Sequence, residues 1–418
     1  MFVMSKLVIN IAGLGTVGQG VIKILESKFA DTIKINKIHA RTKNKQREIN
    51  INNYSWADDI NDIATDCDCV VELIGGTDSA YNLAKAALSA GKHFVTANKA
   101  MIAEHGVQLA ALAEANNAIL AFEASVAGGI PIIKAVRECL VGNNISQISG
   151  ILNGTCNYIL TEIERTGADF ADILKDAQDK GYAEADPTFD IEGIDASHKL
   201  AILTALAFGV KPSLTTLTTY GITNITYKDI QYAAELGYKI RLLGVTSKND
   251  NLVSQAVYPC LVPVSHPLAA INGADNAVTV VAEPLGPTTY IGAGAGQGPT
   301  ASAVVADIID IAQERGSDAF GIPEDKLVDG SFANFADTSH NYYIRLTTAD
   351  ETGVLANITN VLQANSISVE EILQPKADGN AEVVIITSKV KEVIMQDTIT
   401  KLNNMDTILA DVQIIRLV

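Results

Sequence analysis

The sequence predicts an α/β chain of three parts: a doubly wound parallel sheet first, an α+β open-sheet middle, and a ferredoxin-like C-terminal module. Three observations carry this. A β-branched strand from Lys6 to Ala12 runs directly into Gly13-Leu14-Gly15-Thr16-Val17-Gly18 and then an amphipathic helix. The alternation of strand and helix that follows breaks near residue 130, beyond which an acid-rich stretch precedes one lysine and a long apolar helix. From residue 341 the pattern reads strand, helix, strand, strand, helix, strand, the order of a split βαβ.

The totals narrow the function. With 418 residues, 48% hydrophobic and 19% charged, the chain has the composition of a globular protein with two or three full cores. A net charge of -17 argues against nucleic acid or an anionic membrane as partner, because both demand a basic face. The five cysteines (Cys67, Cys69, Cys139, Cys156, Cys260) are odd in number and lack paired metal spacing, which fits a reducing compartment. With no leader pattern at the start and no apolar run of bilayer length, a cytoplasmic location is expected.

In the first part, strand, G-x-G-x-x-G and helix in immediate succession are the context of a Rossmann-type dinucleotide site. Gly13 permits the tight turn, Gly15 lets backbone approach a pyrophosphate, and Gly18 lets the helix pack on the strand; Leu14, Thr16 and Val17 complete the loop. The second strand, IKINKIHA, ends without an acid for a ribose hydroxyl and instead leads into Arg41, Lys43, Lys45 and Arg47. Arg41 with Lys43 behind it suits a 2′-phosphate, so NADP(H) is favoured and NAD(H) stays open, against a merely solvated basic loop. Two later strands end at Gly75-Gly76-Thr77 and Asn98-Lys99, which puts Thr77 and Lys99 at the carboxyl edge of the sheet, on the nicotinamide side.

The middle part opens with Glu123 at the end of an apolar strand and a loop, Val126-Ala127-Gly128-Gly129-Ile130-Pro131. Two readings stand: loop carbonyls beside a carboxylate holding a monovalent cation, Na+ or K+, or a carboxylate bonding loop amides. Gly150 to Ile159 opens a helix whose first amides are placed for a substrate carboxylate. GYAEADPTFDIEGIDASHK then leads into a helix over Ile194–Phe208, with Asp195 and Lys199 one turn apart on one face. Short apolar runs from Ala256 to Tyr290 read as sheet strands. A second glycine-rich turn, Ile291 to Thr300, opens a helix expected to return to the nucleotide part and bring Gly298 near the cofactor, unless its glycines are ordinary hinges.

GLGTVG, TANK, FEASVAGGIP, GILNGTCNYI and above all GYAEADPTFDIEGIDASHK together resemble homoserine dehydrogenase over essentially the whole length. That resemblance implies NAD(P)-dependent interconversion of L-homoserine and L-aspartate 4-semialdehyde. It implies Lys199 as the proton donor or acceptor at the substrate oxygen, Lys99 beside nicotinamide and substrate, and Glu184, Asp190 and Asp195 around the substrate ammonium and hydroxyl. Gly154 and Thr155 correspond to the substrate loop, and Glu123, Val126, Gly128 and Ile130 to the cation loop. One departure is visible, Cys156 where the family often has a second threonine. Residue chemistry agrees, because hydride addition to an aldehyde builds charge on oxygen that an ammonium shielded among acids can neutralise. The alternatives are aspartate-semialdehyde dehydrogenase, for which only Cys156 is placed as a nucleophile, and a non-catalytic NADP and amino-acid sensor.

The C-terminal module, with Asp350-Glu351-Thr352-Gly353-Val354-Leu355 between its first strand and helix, resembles an ACT domain. Asp350, Gly353, Val354 and Leu355 are then the implied effector site and threonine the implied effector; a purely dimerising module is the other reading. The expected boundaries are 1–130 with about 300–330 for the nucleotide part, 131–299 for the substrate part, a polar linker at 331–340 and the module at 341–418. A homodimer or homotetramer is expected.

Overall fold

The computed structural model describes residues 6–375 and 381–418. In the N-terminal part six parallel strands lie in the order Ser55–Trp56, Ile33–His39, Leu7–Ala12, Cys69–Glu72, His93–Thr96, Leu120–Ala121. The central Leu7–Ala12 strand places Ile9 and Ile11 wholly inside, as expected of a strand covered on both faces. The sheet order reverses between Leu7–Ala12 and Cys69–Glu72, and the two flanking turns, at Gly13 and Gly75, open on the same edge. The helix Gln297–Ala312 packs on this part: Ala301, Val304 and Ile308 share a core with Val21, Ile22 and Leu25 of the Thr16–Lys28 helix.

Beyond Leu120–Ala121 the chain forms a second sheet. Its main path runs Gly286–Ala293, Asp275–Glu283, Asn144–Ile151, Tyr238–Asn249, Leu252–Pro263, then Gln413–Leu417, Tyr342–Thr348, Ala381–Thr387 and Val369–Leu373. Of the strands anticipated from Ala256 to Tyr290, the first is the second arm of a long hairpin that begins at Tyr238 and turns at Asp250, and the later ones are the antiparallel pair Asp275–Glu283 and Gly286–Ala293. The helices Gly154–Thr166 and Ile194–Phe208 cover this sheet, burying Leu200, Leu203 and Ile159.

The C-terminal module differs from expectation in how it is attached. Its strands lie in the order fourth, first, third, second, with the helices Val354–Ala364 and Glu392–Asn403 as crossovers. Its last strand pairs in parallel with Leu252–Pro263, Cys260 opposite Arg416 and Leu261 opposite Leu417, so the two parts share one sheet. The stretch at 331–340 is no free linker either: Ser331–Phe332 pairs with Leu252 and Val253, and Ser339–His340 with Val390 and Lys391. Polar composition misled here, because backbone pairing is indifferent to side-chain polarity.

Candidate active site

The site begins at the Gly13 turn. Gly13 holds φ +107, and a Cβ there would meet the Leu73 carbonyl oxygen at 2.3 Å, so the turn needs glycine twice over. A Cβ on Gly18 would meet the Gly13 carbonyl oxygen at 2.0 Å, whereas Gly15 faces open space, which is where a pyrophosphate would approach. Glu72, missed by the sequence reading, shapes the opposite lip. Its buried carboxylate accepts from the Ile74 and Gly75 amides (2.7 and 3.1 Å) and from the Thr96 hydroxyl (2.5 Å). An acid ending an apolar strand was the available signal.

A hollow of ≈ 1130 Å³ at this edge is lined by Gly13, Leu14 and Gly15 at one end and by Arg41, Thr42, Lys45 and Arg47 at the other. Lys43 does not line it; its ammonium lies 5.4 Å from the Trp56 ring centre. Arg47 instead folds the basic loop, donating to the Thr42, Lys43 and Lys45 carbonyls at 2.6 to 3.0 Å. The hollow shares Leu73 and Gly75 with a second one that reaches Lys99 and Phe189, and that one shares Val17, Ala97 and Lys99 with a third. Together they make one trough. Gly76 and Asn98 line it where Thr77 does not, and Gly296 and Thr300 line it where Gly298 does not; Gly298 is exposed.

The third hollow, ≈ 750 Å³, gathers Lys99, Gly154, Thr155, Glu184, Asp190, Asp195 and Lys199. Lys199 comes from the Ile194–Phe208 helix and Lys99 from the first turn of Lys99–Ala115. One carboxylate joins them: Asp195 Oδ2 lies 2.7 Å from Lys199 Nζ, and Oδ1 lies 2.9 Å from Lys99 Nζ. Lys199 also donates to the Leu152 carbonyl at 2.7 Å and is only 9% exposed. Burial by itself would raise the Asp195 carboxyl, yet the two ammoniums hold it well below the usual range. For Lys99 burial works downward, but Asp195 outweighs it and the net direction is up.

Asn153 ties the acids together. Its amide donates to Asp190 Oδ1 (2.7 Å) and Asp195 Oδ2 (2.8 Å), while its oxygen caps the Gly154–Thr166 helix by accepting from the Cys156 amide at 2.8 Å. Burial pushes the Asp190 carboxyl upward, with that amide working against it. Thr155 donates to the Tyr182 carbonyl at 2.6 Å, fastening the segment that carries Glu184. Cys156 is wholly buried, donates to the Asp190 carbonyl at 3.1 Å, and burial drives its thiol far above the ordinary value. Such a thiol is no nucleophile, which removes the main support for the semialdehyde dehydrogenase alternative.

In the loop after Leu120–Ala121, the Glu123 oxygens accept from the Ile133 and Lys134 amides at 3.0 and 2.8 Å. Val126 and Ile130 direct their side chains into the core, and Gly128, at φ +51, lies against the Gly294 backbone. The Glu123 side chain thus bonds two loop amides, one on each oxygen, and each oxygen keeps a further lone pair. Among the described residues no group of three or more His, Cys, Asp or Glu side chains is placed to hold a metal ion, and no helix is long and apolar enough to cross a membrane. In the C-terminal module, Asp350 and Gly353 are exposed and Leu355 is half-buried, but Val354 packs into the module's core.

Comparison with known proteins agrees with this geometry. Family models described as "Homoserine dehydrogenase, NAD binding domain" and "Homoserine dehydrogenase" match residues 13–123 and 131–309. A homoserine dehydrogenase of Pseudomonas aeruginosa is 41% identical, with 99% of each chain covered. The crystal structure of one from Thiobacillus denitrificans superposes with a TM-score of 0.93 at 40% identity, covering 99% of both chains. A hyperthermophilic archaeal homoserine dehydrogenase in complex with NADPH matches with a TM-score of 0.64 at 27% identity, over 74% of this chain and 98% of its own. The chain belongs to the homoserine dehydrogenase family, NAD(P)-dependent oxidoreductases of amino-acid biosynthesis.

Proposed function

We propose that this chain interconverts L-homoserine and L-aspartate 4-semialdehyde, with Lys199 moving the proton. The observation that carries the reading is the single Asp195 carboxylate bridging two ammoniums where the dinucleotide trough meets the acid-lined hollow. When bound, the nicotinamide supplies or takes the hydride. In reduction, Lys199 Nζ gives a proton to the oxygen of the aldehyde as that oxygen gains charge; in oxidation it takes the proton back. Asp195 orients both lysines and favours the charged form of Lys99, and the lysines stabilise the developing alkoxide. Glu184 and Asp190 receive the substrate ammonium, and the Gly154 and Thr155 amides, at a helix N-terminus, receive its carboxylate.

NADP(H) is the favoured cofactor, with Arg41 and Lys45 meeting the 2′-phosphate; the similar archaeal protein was solved with NADPH. Following NADPH loss with aspartate semialdehyde tests the reading, and absence of turnover would sink it. The C-terminal module we read as an ACT-like domain taking an amino acid, threonine first, near Asp350 and Gly353, on the support of its strand order. Threonine added to the same assay tests this: unchanged rates at saturating threonine count against it. A homodimer or homotetramer is part of the same reading, and sedimentation of the full chain tests it.

A further inference from the structure

One route from the C-terminal module towards the Ile194–Phe208 helix passes through the exposed Tyr220. Arg416, on the module's last strand, is 4% exposed and bonded to Glu392, whose carboxylate also accepts from the Tyr342 hydroxyl at 2.6 Å and the Gln396 side-chain amide at 2.7 Å. Its guanidinium lies 4.5 Å from the Tyr220 ring centre, 5.0 Å from Phe335 and 5.2 Å from Tyr258. A cation fixed by a carboxylate and faced by three rings holds those rings in place.

Tyr220 belongs to a short segment clamped on both sides. Thr218 and Thr219 pair with Ala256 and Val257, and the Tyr220 amide donates to the Val257 carbonyl at 2.8 Å. On the other side the Ile222 amide donates to the Ile191 carbonyl at 2.9 Å. The contact is backbone-tight: a Cβ on Gly221 would meet the Ile191 oxygen at 2.4 Å and Glu192 Cα at 2.7 Å. A Cβ on Gly193, at φ +80, would meet Thr219 at 3.0 Å and Val257 at 3.1 Å. Ile191 to Gly193 is the turn between Asp190 and the helix start, two residues before Asp195 and six before Lys199.

We propose that Tyr220 is a positioning residue for this reaction, holding the Ile191–Gly193 turn, and with it Asp195 and Lys199, in register with the C-terminal module through Arg416. The idea rests on the roles given above to Asp195 and Lys199. A rotation of that turn moves two of the site's carboxylates, Asp190 ahead of it and Asp195 behind it, and a small misplacement of a proton donor is costly to rate.

The test is steady-state kinetics of the full chain carrying Tyr220→Ala, Tyr220→Phe, Arg416→Lys and the Tyr220→Ala/Arg416→Lys pair. Tyr220 is 39% exposed, so its substitution leaves the core intact. Expected are kcat losses of about 5-fold or more for Tyr220→Ala and for Arg416→Lys, with KM for NADPH within about twofold, near-normal kcat for Tyr220→Phe, and a double variant no slower than the slower single. Wild-type kcat in Tyr220→Ala, equal losses in Tyr220→Ala and Tyr220→Phe, or a double variant whose loss is the product of the singles overturns it. Should Arg416→Lys fail to fold, the Tyr220→Ala and Tyr220→Phe comparison decides alone. Lys199→Ala separates the two failures: if it abolishes turnover while Tyr220→Ala is normal, only the positioning role falls, and if it turns over normally the site reading falls with it.

Discussion

The Lys199 ammonium and the Asp195 carboxylate meet at 2.7 Å, one helical turn apart, with Asp195 4% exposed and its other oxygen on Lys99. Replacing Asp195 by Asn keeps the shape and removes the anion that outweighs burial at Lys99. The Lys99 pKa should then fall, and kcat should drop by about 10²-fold, the size of a general acid–base contribution. A pH–rate profile checks this; an unshifted basic limb in Asp195→Asn would refute the electrostatic role.

Lys199→Ala should lower kcat by at least about 10²-fold while leaving NADPH binding intact, because Lys199 lines the acid-rich hollow and not the Arg41 end of the trough. Cofactor affinity from fluorescence titration, set beside kcat, separates loss of chemistry from loss of binding.

Arg41→Ala should weaken NADPH more than NADH, because Arg41 lines the cofactor hollow without a carboxylate at the strand end to serve a ribose hydroxyl. About a tenfold rise in KM for NADPH, with NADH little changed, is expected from loss of a charge-assisted bond. Equal effects on both cofactors would refute the 2′-phosphate role.

A chain ending near Asn341 should not fold to an active enzyme, although the polar stretch at 331–340 reads in the sequence as a linker. Removal bares the Leu252–Pro263 edge where Arg416 and Leu417 pair. It also takes Arg345 and Tyr343 from Asp229, which is 0% exposed and bonded to them at 2.6 and 3.2 Å. Thermal melts of the truncated chain check this; a cooperative transition at the full-length Tm would contradict it.

Stability should fall as pH rises from about 4.5 to about 7. Burial, reinforced by Asp307, pushes the Glu123 carboxyl up to about 7 against the pull of two amides and Lys134. A carboxyl raised on folding contributes stability fully present below its unfolded value, near 4.5, and lost as pH climbs through the folded one. The loss is on the order of 3 kcal/mol at most. Urea unfolding at about pH 5 and pH 8 reads it out, and Glu123→Gln should flatten the slope.

The local signals were legible because they are local. Strand, glycine fingerprint and helix follow one another within the 28 residues to Lys28, and the Ile194–Phe208 helix with its Asp195–Lys199 face is a matter of period 3.6. Residue types alone therefore determined a dinucleotide-binding turn and a helix carrying an ion pair. What they left open is what meets that helix from elsewhere in the chain. That Lys99 shares Asp195 with Lys199, that Asn153 bridges Asp190 and Asp195, and that Lys45 lines the hollow where Lys43 stacks on Trp56 are decided by approach in space. The same holds for the C-terminal module, whose last strand finds an unpaired edge of the substrate sheet more than 150 residues earlier in the chain, Leu261 beside Leu417. An edge strand's free amides and carbonyls accept any strand of suitable geometry, so sequence spells out each strand while tertiary packing selects its partner.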